Sequence, residues 1–163
     1  MGRIEIFEPE STTNEDTNPS IEIDTTGITA VGSTITRSLD QARFGRASAK
    51  VVTDGVAFQE GLRKDTNPGV ASAPRTSSVY ARGSGTVRIR LLDNTNGISR
   101  AGTSVQLSSS RWTRLSITIS LGSAACTNLR TFVETTKRQV VTFYCDGFQV
   151  ESKGYATTYA DGD

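Results

Sequence analysis

Hydrophobic and polar residues alternate along most of this chain with a period of two, the pattern of β-strands that bury one face. The alternation is clearest in residues 113–121, where the apolar positions are Leu115, Ile117, Ile119 and Leu121. It recurs in residues 86–92, where the apolar positions are Val87, Ile89 and Leu91. In all, the pattern predicts strands over residues 28–37, 48–53, 76–82, 86–92, 103–107, 113–121, 129–135 and 140–151.

Turn-forming residues separate these segments and indicate the fold class. Clusters of Gly, Pro, Asn, Asp and Ser stand between the predicted strands, as at Asp54-Gly55 and Gly122-Ser123. No stretch has the helical period of about 3.6 residues. Many short strands joined by frequent turns are typical of an all-β antiparallel sandwich, most simply a jelly roll.

The last predicted strand, residues 140–151, changes phase near its middle. The apolar positions before and after Asp146-Gly147 differ in phase by one residue: Val141, Phe143 and Cys145 precede the pair, and Phe148 and Val150 follow it. A phase slip at a glycine inside a strand indicates a β-bulge, which bends the strand and redirects a side chain. The redirected side chain would be the carboxylate of Asp146.

The length of 163 residues suits one domain, and the composition divides the chain into two parts. Residues 1–17 are predicted to be an N-terminal arm or linker, because a short strand at residues 3–8 leads into an acidic segment rich in Ser and Thr. Residues 18–163 are predicted to form the jelly-roll domain. In the arm, Ile4, Ile6 and Phe7 either add as an edge strand to a neighbouring protein or pack on their own domain.

Charge and hydrophobicity exclude several classes of partner. The net charge of +1 argues against general nucleic-acid binding, which requires a basic excess. No apolar run approaches the roughly 20 residues that span a bilayer, so membrane insertion is not expected. The N-terminus also lacks the basic-then-apolar order of a signal peptide.

The sequence is poor in catalytic groups. It has no His and no Cys-x-x-Cys pair, which excludes a structural zinc site or a Cys-His dyad. The acidic residues lie mostly in turns and in the arm, so no carboxylate pair for glycoside hydrolysis is singled out. We therefore predict that the protein is not an enzyme. Cys145 is expected to be a buried free thiol, with a disulfide to Cys126 as the alternative.

Two sets of surface residues are candidates for binding. The outward arginines form a solvated face, a set of cross-strand ion pairs, or a stripe for protein contact, for which Arg88 and Arg90 are the main candidates, with Arg114 and Arg130. The aromatic residues Trp112 and Tyr80 are the candidates for stacking on a sugar ring. The alternative for both is packing in or beside the core.

Several sequence blocks, taken in order, resemble a known family. They are N-P-S-I-E at residues 18–22, S-L-D-Q-A-R-F-G-R-A-S at 38–48, the strand end at 80–83, R-W-T-R-L at 111–115, and F-Y-C-D-G-F-Q-V-E at 143–151 followed by Y-A-T-T-Y-A-D-G-D. Together they are similar to the jelly-roll carbohydrate-binding modules of the family 4/9 type, galactose-binding-like in architecture. Within that type, they resemble the versions found in minor tail and other virion proteins of tailed phages. The resemblance covers residues 18–163.

The resemblance implies a structural calcium ion that ties the first strand to the last. By motif position, Glu22 and Asp146 would supply carboxylates, and backbone oxygens near residues 45–48 would complete the shell of six to eight oxygens that Ca²⁺ prefers. The chain departs from the family in two places. It lacks the Trp that commonly follows the first block, and it has Cys145 where Val is usual.

From this resemblance and from the missing catalytic set, we predict a non-enzymatic phage virion structural protein. It would be a minor tail protein or a capsid decoration module on the particle surface, acting by contact with other virion proteins, as a homo-oligomer or symmetric array, or by host-surface adhesion. The alternative function is a carbohydrate-binding module that recognises host cell-wall glycan.

Overall fold

The protein, described by a computed structural model over residues 13–160, consists of two antiparallel β-sheets packed face to face. The strands are β1 (Ile28–Val31), β2 (Ser33–Ser38), β3 (Ser48–Thr53), β4 (Gly61–Thr66), β5 (Pro74–Gly83), β6 (Thr86–Asp93), β7 (Ile98–Ala101), β8 (Val105–Gln106), β9 (Thr113–Ser120), β10 (Leu129–Thr135) and β11 (Thr142–Glu151). Sheet I has the order β1-β4-β10-β6-β7, with β8 also paired to β6, and sheet II has the order β2-β3-β11-β5-β9. The predicted all-β sandwich is confirmed.

The core lies between the two sheets and is formed by the inward positions of the alternating strands. Its fully buried residues come from both sheets and include Val51, Leu62, Val79, Leu91, Val133 and Phe143. Successive side chains of a strand point to opposite faces, so the intervening polar residues lie on the outer faces of the sandwich. No helix within residues 13–160 is long and apolar enough to cross a membrane.

The structure corrects the prediction of one strand over residues 28–37. The chain forms two strands there, and they belong to different sheets, because β1 is the edge of sheet I and β2 is the edge of sheet II. The break falls at Gly32, whose φ of 57° lies in the left-handed region that glycine adopts without a Cβ penalty. Apolar residues lie on both sides of this glycine, so the sequence pattern did not show that the chain passes there from one sheet to the other.

Two strands were not predicted. Strand β7 is a short edge strand whose four residues are all exposed, so it has no alternation to detect. Strand β4 carries a single large apolar residue, Leu62, and its next inward position is Lys64. A lysine at a core position breaks the apolar pattern that strand prediction depends on.

Lys64 is tolerated in the core because the N-terminal segment brings it a carboxylate. Its ammonium lies 2.6 Å from Oδ1 of Asp16, and both side chains are almost completely buried. The ammonium also donates to the backbone oxygen of Thr17 at 2.6 Å and lies 4.5 Å from the ring centre of Phe148. Removing one partner of such a buried pair would leave an uncompensated charge.

The same segment is fastened to β11 by hydrogen bonds. The Asn14 amide donates to the backbone oxygen of Phe148 at 2.8 Å, and its side-chain oxygen accepts the Val150 amide at 3.1 Å. Glu15 donates its backbone N–H to the Val150 oxygen at 2.8 Å. The packed part of the chain therefore includes residues 14–17, which were predicted to belong to the arm.

The predicted bulge in β11 is present. The pairing of β11 with β5 shifts register between Asp146 and Gln149, at the place where the apolar phase slips. The bulge keeps Asp146 on the outer face of sheet II while Phe148 and Val150 remain in the core.

Both cysteines are buried free thiols, so the disulfide alternative does not hold. Burial, together with the neighbouring Asp93 carboxylate, raises the pKa of the Cys126 thiol to about 11. Burial also raises the pKa of Cys145. Both groups are therefore protonated at neutral pH and act as small hydrophobic side chains.

We expect Lys64→Met to lower the free energy of unfolding by about 3–5 kcal/mol, because it leaves the Asp16 carboxylate buried without its cation. The double variant Asp16→Asn/Lys64→Met should recover part of that loss. Urea unfolding measures both. Arg63→Gln is the control, since the pair of Arg63 with Asp65 is half exposed and should contribute at most about 1 kcal/mol. A Lys64→Met cost no larger than the control's would contradict the role assigned to this pair.

Candidate functional site

Three strands of sheet II place a row of polar and aromatic side chains on the outer face of that sheet. Tyr144 in β11 is paired with Lys50 in β3 on one side and with Arg82 in β5 on the other. Directly paired residues share a face of the sheet, so these three side chains are neighbours. By the same rule Tyr80 of β5 lies beside Arg114 of β9. These five half-buried residues define the open face.

One half of this outer face is covered by the chain itself. The loop between β2 and β3 lies over Asp146, whose Oδ2 accepts the backbone N–H groups of Arg43 and Phe44, each at 2.9 Å. Further along, the C-terminal segment lies over Gln149, whose side-chain oxygen accepts the backbone N–H of Ala160 at 2.7 Å. No described segment lies over the row of Lys50, Tyr144 and Arg82 in this way, and only the Ser109 backbone oxygen contacts one end of it, at Arg82, so this is the accessible half.

An aromatic cluster marks the border between the covered and the accessible halves. The ring of Phe44 stacks on Tyr159 at 4.1 Å between ring centres and meets Tyr80 edge to face at 5.4 Å. The guanidinium of Arg43 lies 4.9 Å from the centre of the Tyr80 ring, and that of Arg114 lies at 5.5 Å. Such contacts hold both arginines beside the open face.

The open face is positively charged. Lys50, Arg82 and Arg114 belong to it, Arg43 adjoins it, and none of the four forms an ion pair within the described part of the chain. The adjoining carboxylate, Asp146, is buried and bonded to backbone amides. The pKa of Asp146 is raised to about 6, mainly by burial and in part by the charge of Glu22. The backbone amides of Phe44, Arg43 and Gly147 act in the opposite direction.

Glu22 and Asp146, the predicted calcium ligands, do lie at the same loop, but their oxygens face hydrogen-bond donors. Both oxygens of Glu22 accept the backbone N–H of Arg46, at 3.0 and 3.1 Å. A Cβ at Gly45 would lie 2.2 Å from Glu22 Oε1, so only a glycine there leaves room for this carboxylate. Within residues 13–160 no group of three or more His, Cys, Asp or Glu side chains is placed to hold a metal ion. The donor set present here does not fit calcium well, and the ion stays a prediction of the resemblance.

The arginines on the other sheet are engaged in ion pairs. On the outer face of sheet I, Arg88 and Arg90 each lie 2.9 Å from an oxygen of the buried Glu134 carboxylate, and Arg90 also lies over the ring of Phe132 at 3.9 Å. Arg130 lies 3.8 Å from Asp65. Arg114 lies in the other sheet, so no single stripe of four arginines exists and the ion-pair alternative is the one observed.

The other predicted site residues fall in different places. Tyr80 is on the open face, and Trp112, which is half buried, immediately precedes β9 two residues before Arg114. Ile4, Ile6 and Phe7 lie outside the described residues. Sequence reasoning did not find Tyr144, Lys50 and Arg82 as a set, because they come from three strands far apart in the chain. The available signal was an outward tyrosine in the alternating segment that precedes Asp146.

Among the described residues, two small grooves lie along the seam where β7 of sheet I meets β9 of sheet II, and Arg114 of the open face lines the second of them. One, of about 300 Å³, is lined by residues of β7 and β9, including Ile98, Arg100 and Ile119. The other, of about 260 Å³, is lined by residues that include Ile89, Gly102 and Leu115. Neither contains the Lys50, Tyr144 and Arg82 row, so the open face is a surface and not an enclosed pocket.

No protein-family model and no curated protein sequence matches the chain. Solved structures do match its fold. The xylan-binding domain of family CBM22 has a TM-score of 0.70 and 20% identity, over 91% of this chain and 100% of that one. The N-terminal CBM22-1-CBM22-2 tandem domain of Paenibacillus barcinonensis Xyn10C has a TM-score of 0.67 and 18% identity over 92% of this chain, which spans half of that one.

A further match is the enzymatically active domain of tailspike protein 4 of bacteriophage CBA120, with a TM-score of 0.65 and 13% identity. It covers 84% of this chain and 21% of that one. The chain therefore has the jelly-roll fold of carbohydrate-binding modules. These solved modules belong to family 22, whereas the sequence resemblance pointed to the family 4/9 type.

We expect the melting temperature to be the same with millimolar CaCl₂ and with a chelator, because backbone amides already satisfy the Glu22 and Asp146 oxygens. A ligand that binds the native state must stabilise it, so differential scanning calorimetry in the two buffers is decisive. MgCl₂ serves as the ionic-strength control. A rise in melting temperature with CaCl₂ alone would establish the ion.

Proposed function

We propose that this protein is a non-enzymatic carbohydrate-binding module and that a glycan lies along its open face. The observation that carries the proposal is the row of Lys50, Tyr144 and Arg82 on an uncovered sheet face, in a fold shared with xylan-binding modules. An aromatic ring between two hydrogen-bond donors suits a sugar, which has apolar ring faces and a polar rim of hydroxyl groups.

Preorganisation supports the same proposal. The row sits on β3, β11 and β5, which are hydrogen-bonded side by side in the middle of sheet II. Side chains on paired strands lose little freedom when a ligand arrives, and a smaller entropic cost leaves more of the contact energy as affinity. Tyr80 lies beneath Arg43 and Arg114, so Tyr144 offers the more accessible aromatic face.

Catalysis is not part of the proposal. The buried carboxylates of the described chain are engaged by amides, hydroxyls or cations, as with Glu134 between Arg88 and Arg90 and Glu60 bonded to the Gly55 amide at 2.8 Å. A general acid or a nucleophile for glycoside hydrolysis requires a carboxyl group that reaches the substrate. The sequence also contains no His to act as a base.

A second proposal concerns where the module works. The fold match to part of a phage tailspike structure favours a component of a virion, as a minor tail protein or capsid decoration of the type that the sequence resembles. There it would adhere to the host surface through the open face and contact other virion proteins through its N-terminal arm or the Arg88 and Arg90 face. The two proposals are compatible, since a virion module can hold a host glycan.

We expect Tyr144→Ala to weaken binding to an insoluble glycan by at least about tenfold, because stacking on an aromatic ring is the main apolar contact the open face offers. Pull-down on xylan and on purified bacterial cell wall, followed by isothermal titration on the better ligand, measures the loss. Phe58→Ala is the matched control, since Phe58 is an exposed aromatic residue, beneath Arg138, in the loop between β3 and β4. Equal losses in the two variants, or binding undisturbed by Tyr144→Ala, would reject the site.

Virion placement predicts that the protein is found in purified phage particles at a fixed copy number. Cryo-electron microscopy of intact particles, with mass spectrometry of the same preparation, tests this. Density for a two-sheet module of this shape on the tail or head is the expected result. Its absence from particles whose other structural proteins are all accounted for would refute the placement and leave glycan binding untouched.

A further inference from the structure

We propose that the glycan held on the open face is anionic, bearing carboxylate or phosphate groups that pair with Lys50 and Arg82 on either side of Tyr144. This inference rests on the proposed function and adds the chemical class of the ligand. It comes from a difference in ion pairing between the basic residues on the two outer faces of the sandwich.

The arginines on the outer face of sheet I are ion-paired within the protein. Arg88 and Arg90 share Glu134, and Arg63 and Arg130 share Asp65, so the outer face of sheet I carries its own counter-charges. The shared carboxylate of Glu134 is 1% exposed, which fixes the two arginines in place. Each arginine of these two groups therefore already has a carboxylate partner, although two arginines share each carboxylate.

The cations of the open face have no such partners. Lys50 and Arg82 flank Tyr144, and neither forms an ion pair within residues 13–160. Arg82 donates its Nε to the Ser109 backbone oxygen at 3.0 Å, a bond to a neutral acceptor that leaves its positive charge uncompensated. Arg114 donates Nη2 to the Ser78 hydroxyl at 3.1 Å, while its Nε is buried and makes no hydrogen bond.

The carboxylates that could neutralise this face are directed elsewhere. Asp146 follows Tyr144 on the outer face of sheet II, but it is fully buried and accepts backbone N–H groups from Arg43, Phe44 and Gly147. Glu22 is bonded to the Arg46 and Ala47 amides of the same loop. The face is therefore positive although the whole chain carries only +1.

Adjacent like charges on a half-buried surface repel each other, and an anion placed between them relieves that repulsion. Bonds from Arg or Lys to carboxylate or phosphate are also stronger than bonds to neutral hydroxyls. An anionic sugar chain therefore gains two charge-assisted contacts that a neutral chain of the same shape lacks, with the ring of Tyr144 between them. Discrimination should favour the anionic ligand and should weaken with salt.

The test compares polymers that differ in charge. Affinities for polygalacturonate, which carries carboxylates, for wall teichoic acid, which carries phosphates, and for neutral xylan are measured by isothermal titration in 20 mM and 300 mM NaCl. We expect at least one anionic polymer to bind at least about tenfold more tightly than xylan at low salt and to lose most of that advantage at high salt. Comparison of the two anionic polymers identifies which group is bound.

The variant Lys50→Gln/Arg82→Gln should abolish the preference at 20 mM NaCl, so that it binds the anionic polymer and xylan with affinities within about twofold of each other. Lys137→Gln/Arg138→Gln is the matched control, because it removes the same charge from two exposed residues of the loop between β10 and β11. If the Lys50 and Arg82 variant is destabilised, the salt dependence of the unmodified protein still decides the question.

The outcomes separate the two levels of the argument. Xylan binding equal to or tighter than that of both anionic polymers overturns the anionic ligand and leaves the glycan-binding function standing. An anionic preference that the Lys137 and Arg138 control reduces as much as the Lys50 and Arg82 variant also overturns it, since attraction is then not localised on this face. Failure to bind any of the three polymers counts against both the function and the inference.

Discussion

The carboxylate of Asp146 is the point on which the exposed side of this sandwich depends. It lies at the bulge of β11, the central strand of sheet II, and accepts three backbone N–H groups from the bulge itself and from the loop between β2 and β3. Those bonds anchor the backbone of the loop on the sheet. The loop in turn carries Phe44 and Arg43, whose contacts with Tyr80 set the border of the open face.

The two outer faces of the sandwich differ in the groups that their acidic side chains bind. Sheet I places its carboxylates among its arginines, so Arg88 and Arg90 both have an ion-pair partner inside the protein. Sheet II directs its nearby carboxylates to backbone amides, which stabilise the loop but leave the cations of the surface unpaired. The Asp146 and Glu22 carboxylates accept backbone N–H groups of the loop between β2 and β3, so they order that loop and are not paired with the cations of the open face.

The features that could be predicted are those that depend on residues close together in the sequence. The bounds of β3 and β10 matched to the residue, and the bulge in β11 followed from a glycine and a phase slip within a few positions of each other. Strand β4 was missed because Lys64 occupies a core position, and the reason it can do so, the Asp16 carboxylate, lies far away in the sequence. The row of Lys50, Tyr144 and Arg82 was missed for the same reason, since strand pairing between distant segments leaves no trace in local periodicity.

The side chain of Asn14 joins the two ends of the folded unit. Its amide donates at 2.8 Å to the backbone oxygen of Phe148 and at 2.8 Å to that of Ala160. The polypeptide therefore enters and leaves the sandwich at one place, as is common in domains that tolerate insertion or circular permutation. A domain whose two ends lie side by side can be inserted into a surface loop of a larger protein without widening that loop. It would then project from the surface of the larger protein. A circular permutant, in which a short linker joins the original ends and new ends lie in an exposed turn, should therefore keep the sandwich intact.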